Sequence, residues 1–191
     1  MAKQYWLIKS EPSSYSIDDL KRDKSTLWEG VRNYQARNLM MKGMKIGDQA
    51  LFYHSSAEPP CVVGIAEVIS LAEPDPTQFD SNDSHYDPKS TLANPIWYCV
   101  RVKFKEKLAR AIPLPELRER KELSSMVLLQ RGSRLSVQPV TEKEFQMVTK
   151  LADSKASGPK PAGSKPAAAK TDKAKASTTK SKGKVGSKGK A

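Results

Sequence analysis

Between Tyr5 and Leu151 the apolar residues fall into short runs, and the segments joining them leave no room for long helices. Tyr5 to Lys9, Ala50 to Tyr53 and Val62 to Ile69 read as strands. Trp97 to Phe104 alternates, with Tyr98, Val100, Val102 and Phe104 on one face and Trp97, Cys99, Arg101 and Lys103 on the other, and Ser133 to Gln138 reads as a last strand. The intervening helices are brief. Ser16 opens one through Arg22, and Asn33 caps another that Gly43 stops. Leu114 to Leu123 and Ser124 to Gln130 supply two more. Thr141-Glu142-Lys143-Glu144 is a capping box for a closing helix with Phe145, Val148 and Leu151 on one face. The crossover helices of roughly 10 to 15 residues that βαβ units need are missing. The expected class is therefore α+β, a mixed or antiparallel β-barrel of about five to six strands surrounded by short helices.

Composition marks the end of that fold. From Asp153 to Ala191 there is no aromatic residue, and the segment holds 11 Lys against two Asp, a net +9 of the chain's +12. Such a stretch cannot bury enough apolar surface to offset its conformational entropy. The expected organisation is one domain over residues 1–152 and a disordered Lys/Ala/Pro/Ser-rich tail over 153–191, similar in character to histone-like tails. Polyanion attraction is concentrated in that tail, since the remainder carries only +3.

Cys61 and Cys99 are too few and too far apart for a Cys-x-x-Cys site, and both sit in apolar runs, which reads as buried free thiols in a reducing compartment. No charged-then-apolar leader opens the chain, and no apolar run approaches the ~20 residues needed to cross a bilayer. The expected setting is cytoplasmic, nucleoid-associated in a bacterium or nuclear in a eukaryote, with no membrane partner.

The chemistry is concentrated in Trp28-Glu29-Gly30-Val31-Arg32-Asn33. An aromatic ring, a glycine and polar side chains lie on a loop leading into a helix N-terminus, where backbone N–H groups point outward. That arrangement suits a flat polar ring. Glu29 and Gly30 bury poorly, so Trp28 reads as capping a cavity rather than filling a core. With Tyr5-Trp6-Leu7-Ile8-Lys9-Ser10-Glu11-Pro12 before it, and Ala50-Leu51-Phe52-Tyr53-His54-Ser55 and Gly64-Ile65-Ala66-Glu67-Val68 after it, this stretch resembles the EVE domain family over roughly residues 3 to 150.

The resemblance implies a PUA-like fold, a relation to the YTH readers of methylated RNA, and a reader of modified bases. In YTH readers a Trp follows a Lys-Ser strand end and forms one wall of the methyl-binding cage; Lys9, Ser10 and Trp28 match that pattern. Further walls are left to Tyr53, His54, Tyr86 or Trp97, and Trp97 fits a pocket or the core equally well. Ser10, Asn33, His54 and Ser55 supply edge-binding groups, although Asn33 also fits a plain helix cap. The Arg131-Gly132-Ser133-Arg134 stretch resembles the family's C-terminal motif, and with Lys9, Arg32 and Arg37 it suits phosphate.

Magnitudes divide the work. Stacking one base contributes about 1 to 3 kcal/mol, while extruding it from a duplex costs a few. One buried methyl adds about 0.8 kcal/mol, roughly fourfold, so stronger discrimination needs hydrogen bonds or cage geometry. The expected protein is a non-catalytic, monomeric reader without cofactor or metal. It places a methylated or hydroxymethylated cytosine, or a methyladenine, in an aromatic pocket while the tail binds phosphates. DNA is favoured and RNA is possible. Two other classes stay open: a histone-like protein acting through its tail, and a hydrolase of modified nucleotides drawing on His54, His85 and the acidic residues Asp80, Asp83 and Asp87. Against the hydrolase stand the missing nucleophile elbow, P-loop and His-Glu-x-x-His motifs.

Overall fold

The computed structural model describes residues 3–154. The expected disordered tail lies outside the described residues from position 155 onward. In chain order the elements are β1 (Tyr5–Ser10), α1 (Ile17–Asp23), β2 (Ser25–Leu27), α2 (Tyr34–Lys42), β3 (Gln49–His54), β4 (Cys61–Val68), β5 (Glu73–Pro74), β6 (Tyr98–Cys99), β7 (Arg101–Pro113), α3 (Leu114–Arg118), β8 (Val137–Val140) and α4 (Glu142–Asp153). The main sheet runs β2-β7-β4-β3-β1-β8, with β1 and β3 parallel and every other pair antiparallel. It forms a curled half-barrel in which β2 and β8 are the two edges. Pro139, which has no N–H to offer, is tolerated in β8 because that strand pairs on one side only.

The period-two rule divides the core across the sheet. Trp6, Ile8, Ala50 and Phe52 point to one side, against Ile17 and Leu20 of α1 and Met40 of α2. Leu7, Leu51 and Tyr53 point to the other, against Leu117 of α3 and Phe145, Val148 and Leu151 of α4. Contact with α1 is close because position 64 is glycine: a Cβ there would lie 2.5 Å from Ile17 Cδ1. Both capping boxes form, at Ser16 with Asp19 and at Thr141 with Glu144, and Asn33 caps α2. Cys61 and Cys99 are free thiols; Cys99 is buried, and burial with nearby Asp75 and Glu73 pushes its pKa up to about 12.

Several boundaries differ from expectation. The strand expected to end at Phe104 continues to Pro113, because bulges against β4 at Val62/Gly64 and Ile65/Ala66 break its alternation and leave Val102, Leu108 and Ile112 as its buried positions. β2, only three residues long, has too little pattern to read. The expected helices over 114–123 and 124–130 shorten to α3 and two 3-10 turns, Lys121–Leu123 and Val127–Leu129. The last strand begins at Val137 rather than Ser133. The long loop from 73 to 95 is ordered by a 3-10 turn at Pro76–Phe79 and by the short β5–β6 pair.

Candidate nucleic-acid interface

β2 delivers the chain to Trp28, whose backbone N–H donates to Val100 O at 2.8 Å. The chain then turns through Gly30 at φ +76°, a left-handed conformation open to glycine. This turn is held from the far side by Asp75, whose side chain is fully buried. Its Oδ2 accepts from Gly30 N at 2.8 Å and from Arg32 Nη1 at 2.8 Å, and its Oδ1 accepts from Thr77 N and Oγ1. Arg32 also donates to Thr77 Oγ1 and, at 2.7 Å, to His85 O. Burial alone would raise the Asp75 pKa; donors from Thr77, Arg32 and the Gly30 backbone outweigh it and hold the carboxyl below its ordinary value.

The latch brings the 80–90 loop over the turn. The His85 imidazole covers Gly30 so closely that a Cβ at residue 30 would lie 3.1 Å from the ring. Its Nδ1 lies 3.0 Å from Asp83 Oδ1. Between these parts opens a cavity of about 460 Å³. Its lining includes Trp28, Glu29, Gly30 and Val31 from the turn, Lys9, Ser10 and Tyr15 from the end of β1 and the segment after it, and His85. A volume of that order lies within the roughly 300 to 1,000 Å³ typical of small-ligand sites.

The indole of Trp28 is 7% exposed and meets the Phe52 ring edge-on, at 5.4 Å between centroids. It is therefore a core residue on one face and a cavity wall on the other. Trp6 Nε1 donates to Asp48 and Trp97 Nε1 donates to Asp87. Trp28 Nε1 makes no hydrogen bond among the described residues, yet it is not one of the enclosed unsatisfied atoms, so it keeps contact with open space. Trp28 thus keeps an N–H donor without a partner among the described residues. Glu29 offers an acceptor; partial desolvation, then the charges of Asp75 and Asp83, raise its pKa. Ser10 Oγ donates to Tyr15 O at 2.7 Å, which leaves its oxygen as an acceptor. Lys9 is half-buried, and desolvation lowers its pKa.

Of the base- and phosphate-binding candidates singled out in sequence, Lys9, Ser10 and Trp28 line this cavity, as does His85 of the hydrolase alternative, and the other candidates do not. Asn33 Oδ1 is occupied by the N–H groups of Gln35 and Ala36, as a cap. His54 Nε2 accepts from Ile17 N at 3.2 Å, and burial first, then Lys107, lowers its pKa against the opposing pull of Asp18. Trp97 packs under Tyr34, 4.8 Å between centroids, with Arg32 and Arg37 against its ring. Arg32 is held in the latch, and Arg37 donates to Ile96 O and Asn38 Oδ1. Tyr53, Ser55 and Arg131 line a second cavity, while Arg134 lines neither. Tyr86 is exposed and lines neither as well. Tyr15, which has no signal in the sequence around it, and His85 add two rings to the lining.

Compared with known proteins, the chain matches the EVE domain over residues 4–151. It is 42% identical to human thymocyte nuclear protein 1 over 172 residues, covering 80% of this chain and 76% of that protein. Among solved structures it is similar to a hypothetical protein from Leishmania major, with TM-score 0.76, 43% identity, and coverage of 80% of this chain and 96% of that one. It is also similar to human THYN1 protein in complex with 5-methylcytosine-containing DNA, with TM-score 0.76, 41% identity, and coverage of 81% and 100%. The chain belongs to the EVE domain family.

Proposed function

We propose that this protein is a non-catalytic DNA-binding reader that takes a 5-modified cytosine into the cavity beside Trp28. The observation that carries the reading is an indole that lines a cavity of base size and whose N–H has no partner among the described residues. The 5-methylcytosine-containing DNA bound by human THYN1 protein supports the choice of base. Stacking against Trp28 contributes about 1 to 3 kcal/mol, close to what extrusion costs. Edge recognition supplies the rest: Glu29, an exposed residue of the cavity lining, accepts from the exocyclic amine, the pairing by which acidic side chains read cytosine. Trp28 Nε1 is available to the ring's acceptors. The Lys-rich segment 153–191 adds sequence-blind attraction to phosphates. Function as a monomer in the nucleus or nucleoid fits this role.

Competition between duplexes with and without 5-methylcytosine tests the reading. Because Trp28 is also part of the core, the informative variant is Trp28→Phe, which keeps an aromatic against Phe52 and deletes the N–H. Full-length protein should prefer the modified duplex, and Trp28→Phe, whose smaller ring gives up wall against the 5-methyl group as well as the N–H, should lose most of that preference. Removing residues 153–191 should weaken both duplexes alike. A wild-type protein indifferent to the modification would sink the proposal.

A further inference from the structure

Lys9 also lines a second cavity, of about 600 Å³, with Tyr53 and Ser55 at the end of β3, Arg118 at the end of α3, and the turn Gln130–Ser133. No carboxylate is among its walls. Elsewhere in the fold several cations are paired with carboxylates: Arg32 with Asp75, Lys103 and Lys105 with Glu67, Lys107 with Asp18, Arg110 with Glu116. Lys9, Arg118 and Arg131 have no ion pair among the described residues. Three unpaired cations therefore converge on one concavity, one of them half-buried and poised over the Tyr53 ring at 6.0 Å. Gly132, at φ +79°, adds a backbone N–H with no partner among the described residues. A concavity with forked guanidinium donors, an ammonium and a free amide is complementary to a phosphoryl group.

We propose that this second cavity is a phosphate subsite in which Arg118, Arg131 and Lys9 hold the phosphate of a nucleotide adjoining the base in the first cavity. For the origin of that phosphate it rests on the base-reading proposal; for its chemistry it does not. Lys9, shared by both cavities, sets the spacing between read base and bound phosphate. The phosphate is either an internal phosphodiester of the strand or a terminal monoester.

The test uses the full chain and the double variant Arg118→Gln, Arg131→Gln. Both side chains are exposed, so a wild-type melting curve is expected. The probes are a short 5-methylcytosine-containing single strand without terminal phosphate, measured beside its unmodified counterpart, the same strand with a 5′-phosphate, and inorganic phosphate. The variant should bind the unphosphorylated strand about tenfold more weakly. Its log–log salt slope should fall by about 0.7 for each phosphate it no longer neutralises, while the ratio of affinities for modified and plain strands holds. Weakening confined to the 5′-phosphorylated strand and to inorganic phosphate supports the subsite with a monoester as its ligand. Wild-type affinity and slope with all three probes overturn it. Absence of any preference for the modified base, with the slope change intact, sinks the base-reading proposal and leaves this subsite standing.

Discussion

Trp28 and Trp97 are almost equally buried, at 7% and 5% exposure, and both lie beside the same latched loops. Their surroundings differ in kind. Trp97 has its N–H on Asp87, a tyrosine on one side and two guanidinium groups against its ring. Trp28 packs edge-on against Phe52, but its N–H is unpartnered and a cavity opens beside it. Burial does not separate a structural aromatic from a ligand-facing one; the state of its polar atom does. Trp97 stabilises the scaffold, whereas Trp28 is the part of the scaffold left incomplete.

The largest expected effect falls on what the two regions share. Arg32→Ala leaves Asp75 ionised and buried without its cation, which should cost about 3 to 5 kcal/mol in urea unfolding. A loss below about 1 kcal/mol would show that the latch does not hold the Trp28 turn. Next comes the direct contrast. Trp97→Phe removes the bond to Asp87, with an expected cost of about 1 kcal/mol and unchanged preference for 5-methylcytosine. Trp28→Phe should change stability by less than about 1.5 kcal/mol and lose the preference. If the two variants exchange these phenotypes, the assignment of roles is inverted.

Acid separates the latch from the rim. Asp75 has a folded pKa below its unfolded value, so its contribution is fully present above the unfolded pKa of about 3.9 and is lost as pH falls through the folded one. Wild-type urea midpoints should therefore drop on going from pH 7 to pH 3. Asp75→Asn should start lower at pH 7 and lose less over the same interval. Parallel pH dependence of the two proteins would remove Asp75 as the cause.

Much of the scaffold was readable because it is encoded locally. Ser16, Asn33 and Thr141 cap their own helices, and Trp6-Leu7-Ile8 divides between two faces by strand geometry alone. Lys9, Ser10 and Trp28, grouped in sequence by the family resemblance, line one cavity. The internal partners of Arg32 and His54 were not legible, because Asp75 lies 43 residues from the one and Ile17 lies 37 residues from the other. β7 was cut short for a related reason, since its bulges become visible only in its pairing with β4.

The smallest expected effect, and the sharpest probe of the open side of Trp28, is at Glu29. Its carboxyl is exposed at the cavity rim, and its pKa is raised first by desolvation and then by Asp75 and Asp83. A raised value means the group stays protonated to a higher pH than a solvated glutamate, and a protonated carboxyl accepts less well from an exocyclic amine. Preference for 5-methylcytosine over 5-methyluracil, which carries an oxygen where cytosine has its amine, should then grow as pH rises through that pKa. Glu29→Gln keeps an acceptor oxygen but adds an N–H₂ group that also suits the uracil oxygen, so its discrimination should fall a few-fold and be flat with pH. A wild-type profile as flat as that of the variant would remove Glu29 from base recognition and leave the edge to Ser10 and the Trp28 N–H.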